Sequence, residues 1–138
     1  MKMRRAPLTL VAGLALISSG LANGFATEID PRDKPATVRR FQQAVRDSDK
    51  NWLAAHTRFP LSYFGHRKLI IRDKAGFLRD YPLLIGAQLR ATILAQDPES
   101  VFENAQGLMI GEGRYNVWVR DTGDGETVRY QIIAINGP

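Results

Sequence analysis

The spacing of apolar residues changes character after residue 97, and that change constrains the fold more than any other feature. Before it, apart from one short hairpin, apolar side chains recur at the spacing of a helix, as at Val38, Phe41 and Val45. Beyond residue 97, four short segments have the composition of strands. They are Val101 to Gln106, Leu108 to Gly113, Tyr115 to Arg120 and Val128 to Asn136. The sequence therefore predicts an α+β domain with N-terminal helices packed on a curved antiparallel sheet.

The first helical region is predicted as two helices, followed by a hairpin. The helices are expected at roughly Ala36 to Arg46 and Ser48 to His56, because residues with capping side chains lie between them. Phe59 to Phe64 and Lys68 to Arg72 form the hairpin, and Pro60 places its first strand at a sheet edge.

A second helical region begins at Asp73, an acid in capping position, and its apolar residues run from Phe77 to Ile93. Proline lacks a backbone N–H and clashes with the preceding helical turn. Pro82 is therefore expected to break or kink this helix at Tyr81.

The last predicted strand is apolar on both faces, through Ile132-Ile133-Ala134-Ile135. Trp118 likewise lies on the opposite face from Val117 and Val119. We expect something to cover this second face. A covering loop is one interpretation, and a homodimer formed sheet to sheet is the other.

The N-terminus has the pattern of a secretory signal peptide. Lys2, Arg4 and Arg5 precede the apolar run Leu8 to Ile17, and small residues follow. Cleavage after Ala26 is favoured over cleavage after Ala22. We expect residues 1–26 to be the signal peptide and residues 27–138 one domain in the periplasm or outside the cell, without stable membrane insertion.

Composition excludes several classes of function. The chain has no cysteine, which excludes disulfides and thiolate chemistry. Loss of residues 1–26 removes three of the 19 basic residues and none of the 14 acids, so the net charge falls from +5 to +2. The remaining basic residues are interspersed with acids, so nucleic acid is not expected as a partner. His56 and His66 lack metal-ligand spacing and are interpreted as surface residues, and no metal or cofactor is expected.

Several short motifs together resemble the nuclear transport factor two-like superfamily, which includes ketosteroid isomerase-like and SnoaL-like proteins. The motifs span most of the predicted domain. They are Asp47-Ser48-Asp49-Lys50 before Trp52-Leu53, Phe59-Pro60-Leu61, Phe77 to Tyr81, Gly107 to Gly113, Val117-Trp118-Val119 and Ile132 to Asn136. The resemblance implies a cone-shaped α+β domain, but this superfold hosts enzymes, binders and scaffolds alike.

The leading hypothesis is an exported, non-enzymatic protein that binds a small apolar ligand or an envelope protein. Its candidate binding residues are Tyr63, Tyr81, Glu103, Met109 and Trp118. Alternation of strand residues is expected to turn Glu103 inward.

Two alternatives stay open. A ketosteroid isomerase-like or dehydratase-like enzyme would use Glu103 or Asp80 as its base and would need no cofactor. A periplasmic immunity or inhibitor protein would also suit a small exported chain.

Overall fold

The computed structural model describes residues 30–138, so the predicted signal peptide lies outside the described residues. The four α-helices are α1 (Lys34–Arg46), α2 (Lys50–Ala55), α3 (Lys74–Leu84) and α4 (Ala87–Ala95), and a 3-10 turn follows at Pro98–Ser100. The six strands are β1 (Thr57–Phe64), β2 (Lys68–Ile71), β3 (Phe102–Asn104), β4 (Gly107–Glu112), β5 (Tyr115–Asp121) and β6 (Tyr130–Asn136). The prediction of an α+β domain is confirmed at this level.

The six strands form one mixed sheet in the order β2-β1-β6-β5-β4-β3. The expected antiparallel sheet is wrong at one place, because β1 and β6 pair in parallel. The chain forms the β1–β2 hairpin at one edge, crosses through α3 and α4, and starts the β3–β6 meander at the other edge. The meander then returns to the hairpin, and its last strand lies parallel to β1.

Aspartate side chains fix the starts of three helices. Asp33, Asp49 and Asp73 each accept a hydrogen bond from the backbone N–H three residues ahead, at 2.8 to 3.1 Å. These bonds satisfy N–H groups that have no partner inside the helix. The predicted division of the first helical region is confirmed, with Ser48 at a φ of 51° between α1 and α2.

Pro60 does not place β1 at an edge, because β1 lies between β2 and β6. Proline is tolerated there since β2 pairs only with Leu61 to Phe64, which leaves Pro60 without a neighbour on that side. The pairing of β1 with β6 also shifts register between Thr57 and Ser62, so the ladder is irregular around the proline.

Pro82 does not end its helix at Tyr81. Helix α3 continues to Leu84, and the Ile85 N–H donates to the Tyr81 carbonyl at 2.9 Å. The proline is exposed in the last turn, where one hydrogen bond is lost and the ring faces solvent. The chain turns instead at Gly86, just before α4.

The core lies between the helices and one face of the sheet. Helix α4 packs on β4 and β5, while α1 packs on α4 and α2 on α3. The Gln42 amide donates to the carbonyls of Ile93 and Gln96, at 3.0 and 2.7 Å, and so joins α1 to the end of α4. Among the described residues, every buried side-chain polar atom has a hydrogen-bond partner. All four helices therefore serve one face of the sheet.

Candidate functional site

The two faces of the sheet differ in cover. The face toward the helices, here called the inner face, carries fully buried residues such as Leu108, Ile110 and Val119. The opposite face, here called the outer face, carries the alternate residues of the same strands. Strand pairing aligns one outer row from edge to edge of the sheet. It consists of Phe102, Met109, Trp118, Ala134, Ser62 and Ile70.

The outer face is apolar without being covered. Phe102 is 53% exposed, Ile70 45% and Phe64 43%. The Phe102 and Trp118 rings meet edge to face at 6.2 Å, which shields part of the indole. Contiguous exposed apolar surface is uncommon on monomeric proteins and tends to mark an interaction site.

The expected apolar second face of β6 is present, with one difference in detail. The β5–β6 register shifts between Trp118 and Val119, and Ile133 is the extra residue on β6. Ile133 and Ala134 are half-buried. Together with Phe64, Trp118 and the polar residues Gln106, Arg120 and Asn136, they line a shallow cavity of about 350 Å³ on the outer face. The described helices all lie on the other side of the sheet, and the expected cover is not present among residues 30–138.

Charge on the outer face has one sign. Arg58, Lys68 and Arg120 occupy outward positions on three strands. Across the described strands, the acids Glu103, Glu112 and Asp121 fall at alternate, inner-face positions, so no acid occupies an outward one. The outer face therefore presents apolar rings beside cations.

Two glycines on β4 let the strands approach closely beside this patch. Gly107 and Gly111 have φ values of 134° and 120°, in the region that favours glycine. A Cβ at Gly107 would collide with the Val119 carbonyl, and one at Gly111 with the Tyr115 carbonyl.

The structure brings together two of the five predicted binding residues. Met109 and Trp118 are direct cross-strand neighbours on the outer face. Tyr63 is buried in the core at 4% exposure. Tyr81 lies half-buried on α3, where burial is the main cause that raises the pKa of its phenol. These five residues do not form a single site.

Glu103 lies on the inner-face side of its strand, as expected, but it does not face a cavity. It lies exposed on the edge strand β3, and both of its carboxylate oxygens accept from the Lys34 ammonium, at 2.5 and 2.7 Å. That hydrogen bond is the main cause that raises the pKa of Lys34 above its usual value. Alternation does direct Glu103 to the helical side, but β3 is an edge strand, so that side is solvent next to the start of α1.

Asp80 also has a cationic partner. Two Arg79 guanidinium nitrogens donate to the Asp80 carboxylate at 3.1 and 3.2 Å. This hydrogen bonding is the main cause that lowers the pKa of Asp80. A lowered pKa makes the carboxylate a weaker proton acceptor, whereas a catalytic base needs a pKa near the working pH.

A pocket at the end of the helical layer was missed by sequence reasoning. Trp52 and His56 stack with ring centroids 3.7 Å apart, and the Arg40 guanidinium lies 4.0 Å from the Trp52 ring centroid. His56 is half-buried here, which corrects its assignment as a surface residue. The sequence feature that could have revealed this pocket is the four-residue spacing of Trp52 and His56, which places both rings on one helix face.

Arg129 and Tyr130 close this pocket from the start of β6, and its volume is about 270 Å³. The His56 Nδ1 lies 2.8 Å from the Trp52 carbonyl oxygen. Because a carbonyl only accepts, this nitrogen carries the hydrogen and the Nε2 is left for other partners. Burial is the main cause that raises the pKa of Tyr130.

Within residues 30–138, no helix has the length and apolar character needed to cross a bilayer. The same residues contain no cluster of three or more His, Asp or Glu side chains that could hold a metal ion. Comparisons with models of protein families, with curated proteins and with solved structures found no match to this chain.

Proposed function

We propose that this chain is an exported, non-enzymatic binding protein whose outer face binds an envelope protein. The partner presents an apolar surface with carboxylates at its rim. One observation carries this proposal. A mostly apolar row, exposed at Phe102 and Ile70 and half-buried between them, crosses the sheet, and the outward charges on the described strands are all positive. Interfaces combine an apolar centre with a charged rim, and complementary charge favours the correct partner.

The same charge pattern argues against a second copy as the partner. In a two-fold dimer the same surface of each subunit meets the other. The outer faces would then bring Arg58, Lys68 and Arg120 toward the same cations of the second copy, without outward strand acids to pair with them. We therefore do not propose a homodimer, and the experiment below must distinguish it from a complex with another protein.

Export and family membership are also part of the proposal. The N-terminal pattern supports cleavage after Ala26. The order of two helices, a hairpin, two helices and a meander supports a cone-shaped domain of the nuclear transport factor two-like superfamily. A periplasmic immunity or inhibitor protein would be one form of the proposed function, since such a protein acts by binding.

The positions of Glu103 and Asp80 do not favour the enzyme alternative. Glu103 is exposed and held by Lys34, and Asp80 is held by Arg79 with a lowered pKa. An isomerase needs a carboxylate base facing a cavity with a hydrogen-bond donor opposite. Neither carboxylate has that arrangement.

The experiment is affinity capture from the envelope of cells that make the protein, with intact mass measured for the protein and for whatever it retains. The wild type is compared with Trp118→Ser and Arg120→Glu on the outer face. Leu83→Ser is the matched control, because Leu83 is a large apolar residue 48% exposed on helix α3.

The proposal expects a stoichiometric protein partner with the wild type and with Leu83→Ser, lost with both outer-face variants. Raised salt should weaken the complex, because exposed charge pairs are screened. If the Trp118→Ser and Arg120→Glu variants retain as much partner protein as the wild type, the outer face is not the binding surface. If the intact mass shows only two copies of this chain, the protein is a homodimer and the proposed partner is wrong. An intact mass that includes residues 1–26 would contradict cleavage.

A further inference from the structure

The pocket between α1, α2 and the start of β6 combines apolar walls with positive charge. Phe41 is buried at its base, and Trp52 forms a wall. Of residues 30–138, Arg40 and Arg129 line it, and no Asp or Glu does. Among residues 30–138, the ion pairs join Lys34 to Glu103, Arg39 to Glu99 and Arg79 to Asp80, so neither pocket arginine has a carboxylate partner.

Arg40 is held in a position that suits an anion. Its guanidinium lies over the Trp52 ring at 4.0 Å, and a stacked guanidinium keeps its N–H donors at the edge of the stack. These donors match the two oxygens of a carboxylate. The ring of His56 is fixed by its stacking on Trp52 and by the hydrogen bond from its Nδ1, so its Nε2 offers a further polar contact.

We propose that this pocket binds a small aromatic carboxylate, with the carboxylate at Arg40 and Arg129. The ligand ring would pack against the edge of the Trp52 indole, because His56 and Arg40 already cover its two faces. The volume of about 270 Å³ lies just below the range of about 300–1,000 Å³ for drug-sized ligands, so the pocket suits a smaller molecule of one or two fused rings. The site is separate from the outer face, since its side chains come from helices on the inner side and from the start of β6.

The test uses 2-naphthoate as the probe and 2-naphthamide, its neutral analogue, as the matched compound. The chain has two tryptophans, and they report on the two sites: Trp52 lines the pocket and Trp118 lies on the outer face. Their two indole N–H signals are followed in proton–nitrogen correlation spectra and assigned with Trp118→Phe. Titration calorimetry gives the affinities.

Saturable shifts of the Trp52 signal with 2-naphthoate are expected, with the Trp118 signal unchanged. The amide should bind at least about tenfold more weakly, since a hydrogen bond to a charged group contributes about 1.5–3 kcal/mol. Arg40→Gln and Arg129→Gln should each weaken binding of the acid severalfold and leave the amide nearly unaffected. Arg114→Gln, an exposed arginine in the β4–β5 turn, makes the same charge change away from the pocket and should have no effect.

Equal affinity for the acid and the amide would overturn the proposal, as would shifts confined to Trp118 or no shift at millimolar probe. The comparison of the two compounds needs no substitution, so it remains decisive if an arginine variant fails to fold. The two proposals can fail separately: if the outer face captures no protein, the titration of the pocket with 2-naphthoate is not affected.

Discussion

Leu108 and Met109 are neighbours on β4, yet they lie in different environments. Leu108 is 1% exposed under helix α4, while Met109 is half-buried on the outer face beside Trp118. Strand alternation alone would predict polar residues where Met109, Trp118 and Phe102 lie. The inner face is apolar because the helices cover it. The outer face carries apolar residues although the described chain leaves it open, and the proposed binding surface is based on this difference.

The largest expected effect comes from truncating the two neighbours. Leu108→Ala should lower the free energy of unfolding by about 3 kcal/mol, because it leaves a cavity in the packed core. Met109→Ala should cost less than about 1 kcal/mol, because its side chain already contacts solvent. Urea unfolding followed by circular dichroism measures both. Equal losses would mean that the outer face is covered in solution.

Gly111 on β4 and Gly113 in the turn that follows test how closely β4 and β5 pack. Gly111→Ala should cost about 3 kcal/mol, because the backbone conformation is unfavourable for alanine and the new methyl group meets the β5 backbone. Gly113→Ala is the control. Gly113 has a φ of 56° with open space around it, so its cost should be about 1 kcal/mol. Thermal melts distinguish the two, and matching values would contradict the close approach of β4 and β5.

The helices that cover the inner face are stabilised by N-cap side chains, and loss of one cap should lower the free energy of unfolding by less than the changes above. The Asp73 carboxylate accepts from the Gly76 N–H at 2.8 Å at the start of α3. Asp73→Ala should therefore cost about 1 kcal/mol, while Asp73→Asn should retain most of the stability because asparagine also caps helices. Chemical denaturation of the two variants provides the measurement. A loss of equal size in both would point to charge and not to capping.

The smallest expected effect is at the turn that joins β5 to β6. The Asp121 carboxylate accepts from the backbone N–H groups of Arg129 and Gly123, which lowers the pKa of Asp121 below its usual 3.8. The stabilisation is therefore present above pH 3.8 and is lost as the pH falls through the lower, folded-state pKa. A carbon-detected titration should show a midpoint below 3.8. A midpoint above 3.8 would contradict these hydrogen bonds.

Much of the fold could be predicted because local signals and tertiary packing agree. Capping acids mark the starts of α2 at Asp49 and of α3 at Asp73, and the four late strands lie within a few residues of their predicted positions. The parallel pairing of β1 with β6 could not be predicted, because it depends on how the chain crosses between distant segments. Local spacing carries no information on that crossing.

The site could be predicted only in part. The apolar character of both faces of β6 predicted a second apolar face, and alternation placed Trp118 on it. The cover expected over that face is not present among residues 30–138. Glu103 does not face a cavity because its strand ends the sheet, which alternation does not reveal. The pocket at Trp52 was missed because stacking with His56 and Arg40 requires three side chains to converge, and an aromatic stripe on a helix normally indicates core.

The most direct test of the outer face is photo-crosslinking in the cells that make the protein. A photoreactive amino acid is placed at Met109 on the outer face or, as the control, at exposed Leu83 on α3. The account predicts one dominant adduct with a different protein from position 109 and none from position 83. No adduct at 109, the same adducts at both positions, or an adduct of this chain with itself would contradict the proposed partner.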